Sequence, residues 1–231
     1  MNSIQSDKST NTGHRKRLRD KFLQSGFDGF LDYEIVELLL TLGTPRKDCK
    51  IQAKEIVKKF KDLPGALMAS SDDLKQVKGV GNSNSIGIQI FRELQSRYSR
   101  EKLNKSNTLN NPADIFEYLK YKIGSEQKEH FVILYFNTKN ILIHSEVSIG
   151  TLNASMVHPR EVFHQAIINH ASHVIIAHNH PSGDPTPSRE DIVTTGRLVE
   201  AGKILGIAVV DHMIITSTNF TSLKLLGYIK Q

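Results

Sequence analysis

Tryptophan is missing from this chain and cysteine occurs once, as Cys49. One thiol can neither close an intramolecular disulfide nor build a thiolate metal site, so any metal must be held by nitrogen and oxygen donors and a reducing compartment is expected. No apolar run approaches the roughly 18 residues that cross a bilayer. The opening MNSIQSDKSTNTGHRKR holds no hydrophobic stretch of the kind that begins a secretory leader. These absences predict no membrane partner and a cytoplasmic location. Without Trp the core must be built from Leu, Ile, Val and Phe, and 39% hydrophobic beside 23% charged residues is the balance of a globular chain. A length of 231 residues leaves room for two domains of about 100 residues each.

Charge and histidine are unequally divided. Residues 1–105 hold 20 Lys and Arg against 13 Asp and Glu, a net +7, whereas residues 106–231 hold 10 against 11, a net −1. Nine of the ten histidines, all but His14, fall in the second part, so the two parts are expected to do different work.

The pattern along the chain predicts a disordered tail at 1–12, a helical domain at 13–100, a linker at 101–112 and a second domain at 113–231. In the helical domain Leu18, Phe22 and Leu23, then Ile35, Leu38, Leu39 and Leu42, then Ile51, Ile56 and Phe60 recur at helical spacing. The second domain reads as short β-branched and aromatic strands, FVILYF, ILIHSEV, HVIIAHNH and IAVVDHMIIT, separated by helical patterns that start at Pro159 and Ser188. The fold class is α+β: an all-α first domain followed by an α/β domain.

Two features of the first domain suit a polyanion. Five of the seven residues from Arg15 to Lys21 are cationic, beginning with Arg15, Lys16 and Arg17. The segment LKQVKGVGNSNSIGIQIF sets Gly79 and Gly81 in a turn between two helical patterns, with Lys75 and Lys78 beside it. A charge run is also what a solvated helix face shows, and a Gly-Val-Gly turn is also an ordinary helix corner. The segment resembles the helix-hairpin-helix motif, whose backbone amides meet a nucleic-acid phosphate. Binding of that kind is non-specific for duplex sequence and falls with salt.

The chemistry of the second domain gathers in AHNHPSGDPTPSRED. On a strand, His178 and His180 share one side with Val174 and Ile176 while Asn179 faces away. About 7 Å of strand rise separates the two imidazoles, which can converge on one ion. PSGDPTP stops the strand, and Ser188 to Asp191 opens a helix in a pattern that by itself reads as a cap; Asp184 reads as a turn residue.

The joint spacing is more specific. His178-x-His180, seven residues, Ser188, two residues and Asp191 match the JAMM (JAB, MPN+) metalloprotease signature at every position. With GHRKRLRDKF, GTLNASMVHPREVF and HPSGDPTPS, nearly the whole chain resembles the bacterial RadC family, a helix-hairpin-helix region before a JAMM domain of cytidine-deaminase-like fold. The resemblance implies one Zn²⁺ per chain on His178, His180 and Asp191, with Ser188 donating a hydrogen bond to an oxyanion. It also implies Glu129, at the head of EHFVIL, as the general base, with Glu146 and Glu161 as competing carboxylates. His158 is singled out by the resemblance alone; the remaining histidines are assigned to packing, polar or supporting roles. The function expected is a zinc metallopeptidase or isopeptidase acting on an unidentified protein or peptide, with duplex DNA held by the first domain. A DNA-binding accessory protein of repair or recombination whose metal site is vestigial or structural is the alternative. A metal-dependent nuclease ranks below both. A nucleobase deaminase would need H-x-E with P-C-x-x-C, and this chain has neither.

Overall fold

The computed structural model describes residues 13–45, 47–106, 111–149 and 158–230. The expected tail at 1–12 and residues 150–157 of the GTLNASMVHPREVF stretch lie outside them. The chain forms two compact units that divide between Glu93 and Leu94, an α+β arrangement with a helical first part and a mixed sheet in the second.

The first unit contains α1 (His14–Ser25), α2 (Asp32–Leu42), α3 (Lys50–Phe60), α4 (Leu63–Met68), α5 (Ser71–Lys75) and the start of α6 (Asn82–Ser106). Short helices need good caps because few internal bonds hold them. Asp62 accordingly accepts from Gly65 N at α4 and Ser70 from Asp73 N at α5. Val36, Leu40, Ala53, Ile56, Leu74 and Ile88 form the core. Helix α6 crosses α2 closely at Gly87, where a Cβ would sit 2.1 Å from the Leu39 carbonyl oxygen.

The apolar positions read from periodicity are partly wrong in register. On α2 the buried stripe is Val36, Glu37, Leu40 and Thr41, while Leu42 is 61% exposed. On α1 only Leu18 is buried, and on α3 Ile51 is exposed where Ala53 and Ile56 are covered. A polar residue has displaced an apolar one from the core face of α2.

The second unit is a five-stranded sheet in the order β2-β1-β3-β4-β5. Its strands are β1 (His130–Phe136), β2 (Leu142–Ile149), β3 (His173–Asn179), β4 (Ala208–Ile215) and β5 (Phe220–Ser222). All pairings are antiparallel except β3 with β4. That parallel pair is joined by α9 (Arg189–Leu205), which ends at Gly206 in a left-handed cap as the periodicity predicts. Helices cover both faces, which is why FVILYF is apolar without alternation. Phe131, Ile133, Tyr135, Val174 and Ile176 pack with α8 (Pro159–Ile168) and α9 through Val162, Phe163 and Leu198. Val132, Leu134, Phe136, Ile175 and Ala177 pack on the other face with Ile115, Phe116 and Leu119 of α7 (Pro112–Lys122).

The expected linker at 101–112 needs correction. Helix α6 continues to Ser106, Leu103 is buried in the second core, and the Asn104 side chain accepts from Leu142 N at 3.0 Å. Asn111 caps α7 and Pro112 opens it. After Tyr98 the only buried apolar side chain on α6, among the described residues, is Leu103, and one such position is too little for a period to be read. Residues 107–110 lie outside the described ones.

Candidate metal centre

His178 and His180 come from the end of β3 and Asp191 from the first turn of α9. Because β3 alternates, His178 lies on the sheet face that α9 covers, and the loop between brings Asp191 over it. His178 and Asp191 are fully buried, and His180 is partly buried. His178 Nε2 is 3.0 Å from His180 Nε2 and 3.2 Å from Asp191 Oδ1, and His180 Nε2 is 3.7 Å from Asp191 Oδ2. All three donor atoms lie within 4.8 Å of one another.

Surrounding acceptors settle where the protons are. The Thr195 hydroxyl donates to the Asp191 main-chain carbonyl at 2.6 Å, so its oxygen accepts from His212 Nδ1, also at 2.6 Å. Burial drives the His212 pKa well below its ordinary value, and a neutral imidazole has one donor and one acceptor nitrogen. His212 Nε2 therefore accepts from His178 Nδ1 at 2.9 Å. His180 Nδ1 donates to the Asp184 carbonyl at 2.8 Å. With Nδ1 of each ring engaged as a donor, a neutral ring at either position turns the lone pair of its Nε2 towards the other.

Asp191 completes the set. Its Oδ2 accepts from the Ser188 amide and hydroxyl, each at 2.8 Å, while Ser188 Oγ accepts from Asp191 N at 3.1 Å. Its Oδ1 is buried without a hydrogen-bond partner. Burial opposes ionisation, but the contacts with His178 and His180 and the hydrogen bond from the Ser188 amide outweigh it and hold the carboxyl well below the usual range. Two lone pairs and an orphaned carboxylate oxygen facing one small space need a positive charge between them. One proton cannot serve all three. The donor set fits a divalent cation taking two imidazoles and one carboxylate.

Glu129 immediately precedes β1. The pairing of β1 with β3 ends at Phe131 and His178, which leaves Glu129 and His180 just past the same end of the ladder, near enough for the Glu129 charge to act on His180. The contact with Asp191 is the largest influence raising the His180 pKa, and the Glu129 charge adds to it. Asn179, pointing away from the histidines, fixes this segment: its Oδ1 accepts from His130 N at 2.7 Å and its Nδ2 donates to the carbonyls of Glu126 and Lys128. The competing carboxylates are elsewhere. Glu146 is exposed on β2, 3.4 Å from the Tyr135 hydroxyl, and Glu161 is exposed on α8.

Comparison with known proteins places the chain in a family. Residues 109–228 match the model of the RadC-like JAB domain, and residues 10–86 match that of the UPF0758 N-terminal domain. The chain belongs to the RadC family. It is 42% identical over 214 residues to a UPF0758 protein of Geobacillus sp. (strain WCH70), covering 92% of this chain and 95% of that one. A UPF0758 protein of Fusobacterium nucleatum is 39% identical over 220 residues, with 92% and 95% covered. One from Clostridium acetobutylicum is 38% identical over 218 residues, with 94% and 95% covered.

Three supporting residues of this RadC-type centre escaped the sequence reading. Thr195 and Asn179 carried no signal, and His212 was not separated from the other supporting histidines, because their contacts arise from strand pairing and helix packing. His158 makes a different contribution, capping α8 by accepting from Arg160 N at 3.2 Å. The Ser188 hydroxyl donates to Asp191 Oδ2 and accepts from Asp191 N, so it aims the carboxylate and caps α9, as the capping pattern predicts.

The residues expected to meet nucleic acid divide in the same way. Arg15 is withdrawn from that set, since its guanidinium donates to the carbonyls of Thr41, Thr44 and Lys47. Gly79 adopts a left-handed φ of 83°, which glycine tolerates without strain. The Gly81 amide donates to Asn84 Oδ1 at 2.7 Å, so it is not presented to a phosphate. Lys16, Arg17 and Lys78 are exposed, and Lys75 pairs with the exposed Asp72 at 3.1 Å.

Replacing Thr195 with Val should test the supporting chain. It removes the acceptor for His212 Nδ1, frees the ring to flip, and should weaken metal binding about 10- to 100-fold. Leaving a buried N–H unpaired should also cost about 1–3 kcal/mol of stability. Competition with a chromophoric chelator and a denaturant melt read the two effects; unchanged affinity would show that His178 needs no such support.

Proposed function

We propose that this protein is a zinc-dependent peptidase or isopeptidase that cleaves an amide bond in a protein or peptide, and that its N-terminal unit holds duplex DNA without sequence preference. The observation that carries the enzymatic reading is the convergence of the two Nε2 atoms and the orphaned Asp191 Oδ1, with the Glu129 charge acting on His180. His178, His180 and Asp191 would hold the ion, and three protein ligands suit a catalytic rather than a structural zinc. When bound, zinc supplies Lewis acidity, lowering the pKa of an attacking water and polarising an amide carbonyl.

The chain's own residues supply the rest. Glu129 accepts the proton of the attacking water and returns it to the leaving amine. Asn179 holds the backbone that carries it. Ser188 is exposed, so rotation of its hydroxyl away from Asp191 Oδ2 lets it donate to the developing oxyanion while its amide keeps that oxygen engaged. Thr195 and His212 keep the His178 proton on Nδ1.

The reading is tested by incubating zinc-loaded protein with a peptide library containing ordinary and lysine-branched amide bonds and identifying new termini by mass spectrometry. Cleavage should stop with chelator and return with zinc. A loaded protein that generates no new termini, and only melts lower when stripped, is the result that favours the accessory role.

The DNA reading rests on the +7 of residues 1–105 and on the exposed Lys16, Arg17 and Lys78. With Lys75 included, three or four phosphate contacts should give a log affinity against log salt slope of roughly −3. Reversing Lys78 should reduce that slope by about 1. A Lys16→Glu/Arg17→Glu/Lys78→Glu protein that binds duplex as tightly as wild type would remove these residues from the interface.

A further inference from the structure

The first unit contains a second convergence of ligand atoms that shares no residue with the His178 centre. His14 begins α1, Glu37 lies on the buried stripe of α2, and Asp48 stands in the loop before α3; one donor atom from each lies within 4.8 Å of the others. His14 Nε2 is 2.9 Å from Glu37 Oε1. The Glu37 side chain is fully buried, and its Oε2 has no hydrogen-bond partner. Burial raises the Glu37 pKa, and Asp48, a carboxylate of the same sign, raises it further through hydrogen bonding and charge, with His14 opposing them.

The placement is costly for a merely structural glutamate. A buried carboxylate needs every lone pair engaged, and α2 has Leu38, Leu39 and Leu42 next to this position, any of which would fill a core site. Arg15 does not relieve the charge through hydrogen bonding, since its guanidinium donates to the carbonyls of Thr41, Thr44 and Lys47. It does fix the loop that presents Asp48. Asp48 Oδ1 also accepts from Lys50 N at 2.9 Å, which holds the carboxylate in place.

We propose that His14, Glu37 and Asp48 form a second metal site, binding a divalent first-row transition ion of the manganese to zinc class through one imidazole nitrogen and two carboxylate oxygens. That donor set is the one such ions accept. An ion there neutralises Oε2, separates the two carboxylates, and ties α1 and α2 to Asp48 ahead of α3, so its binding stabilises the first unit.

The test uses the full-length His178→Ala/Asp191→Ala protein, in which the sheet's centre is disabled, titrated calorimetrically with Zn²⁺ and separately with Mn²⁺. One equivalent of at least one ion should still bind and raise the melting temperature of the helical unit. Adding Glu37→Gln should abolish that binding. Adding Asp48→Asn, which retains an acceptor for Lys50 N, should weaken it at least 10-fold without changing the circular dichroism spectrum. A double variant that binds neither ion overturns the proposal. So does undiminished binding by the Asp48→Asn protein, which leaves His14 and Glu37 as a plain ion pair. Wild-type protein that holds one metal while the double variant holds none would sink only this site and leave the first intact.

Discussion

Glu129→Gln should lower amide hydrolysis by about 10² to 10⁴ while metal content and thermal melt stay at wild-type values. Gln keeps the length and volume of the side chain but cannot accept a proton from water. The backbone should not move, because the Asn179 side chain bonds residues 126, 128 and 130, none of which is altered. Metal should remain because His178, His180 and Asp191 are untouched, although loss of the nearby charge removes one influence that raises the His180 pKa. The loss should appear in kcat more than in KM, since a general base acts in the transition state rather than in substrate binding. Full activity in this variant would transfer the base role to another group, with Glu146 and Glu161 next in line despite their exposed positions.

Asp191→Ala should empty the sheet's metal centre. If zinc binding of about 10–16 kcal/mol is shared among its ligands, removing one carboxylate costs roughly 3–5 kcal/mol, or about 10² to 10⁴ in affinity. The variant also loses the acceptor for the Ser188 amide and hydroxyl, a cap contribution of about 1 kcal/mol. Asp191→Asn separates the two effects, because it keeps an acceptor for Ser188 but loses the charge that the cation needs; it should melt near wild type and still bind metal poorly. Inductively coupled plasma analysis of protein purified without chelator reads the occupancy. Stoichiometric metal in both variants, with metal lost from neither, would exclude Asp191 as a ligand.

The sheet's centre was unusually legible. Two histidines on one side of a strand, a Pro and Gly break, and an acid in the first turn of the next helix are all local features, so their spacing survives folding. The four-position pattern then singles out the same three residues that the fold brings within 4.8 Å of one another. Ser188 was less so: a helix cap and an oxyanion donor use the same hydroxyl, and spacing cannot say which way its hydrogen points. The register of α2 was misread because periodicity scores hydrophobicity, and Glu37 occupies a core position that a leucine would be expected to take.

The sequence by itself determined the two-part organisation, the alternation that puts His178 and His180 together, and the helix that starts at Ser188. It did so because periodicity, turn residues and capping act over a few neighbours. Tertiary structure alone decided what lies across space. Parallel pairing of β4 with β3 brings His212 to His178, and packing of α9 on the sheet supplies Thr195. Antiparallel pairing of β1 with β3 brings Glu129 near His180, and the buried side of α2 sets Glu37 against His14 and Asp48. These contacts join residues far apart in the chain, whose meeting depends on strand order and helix packing that no short stretch encodes.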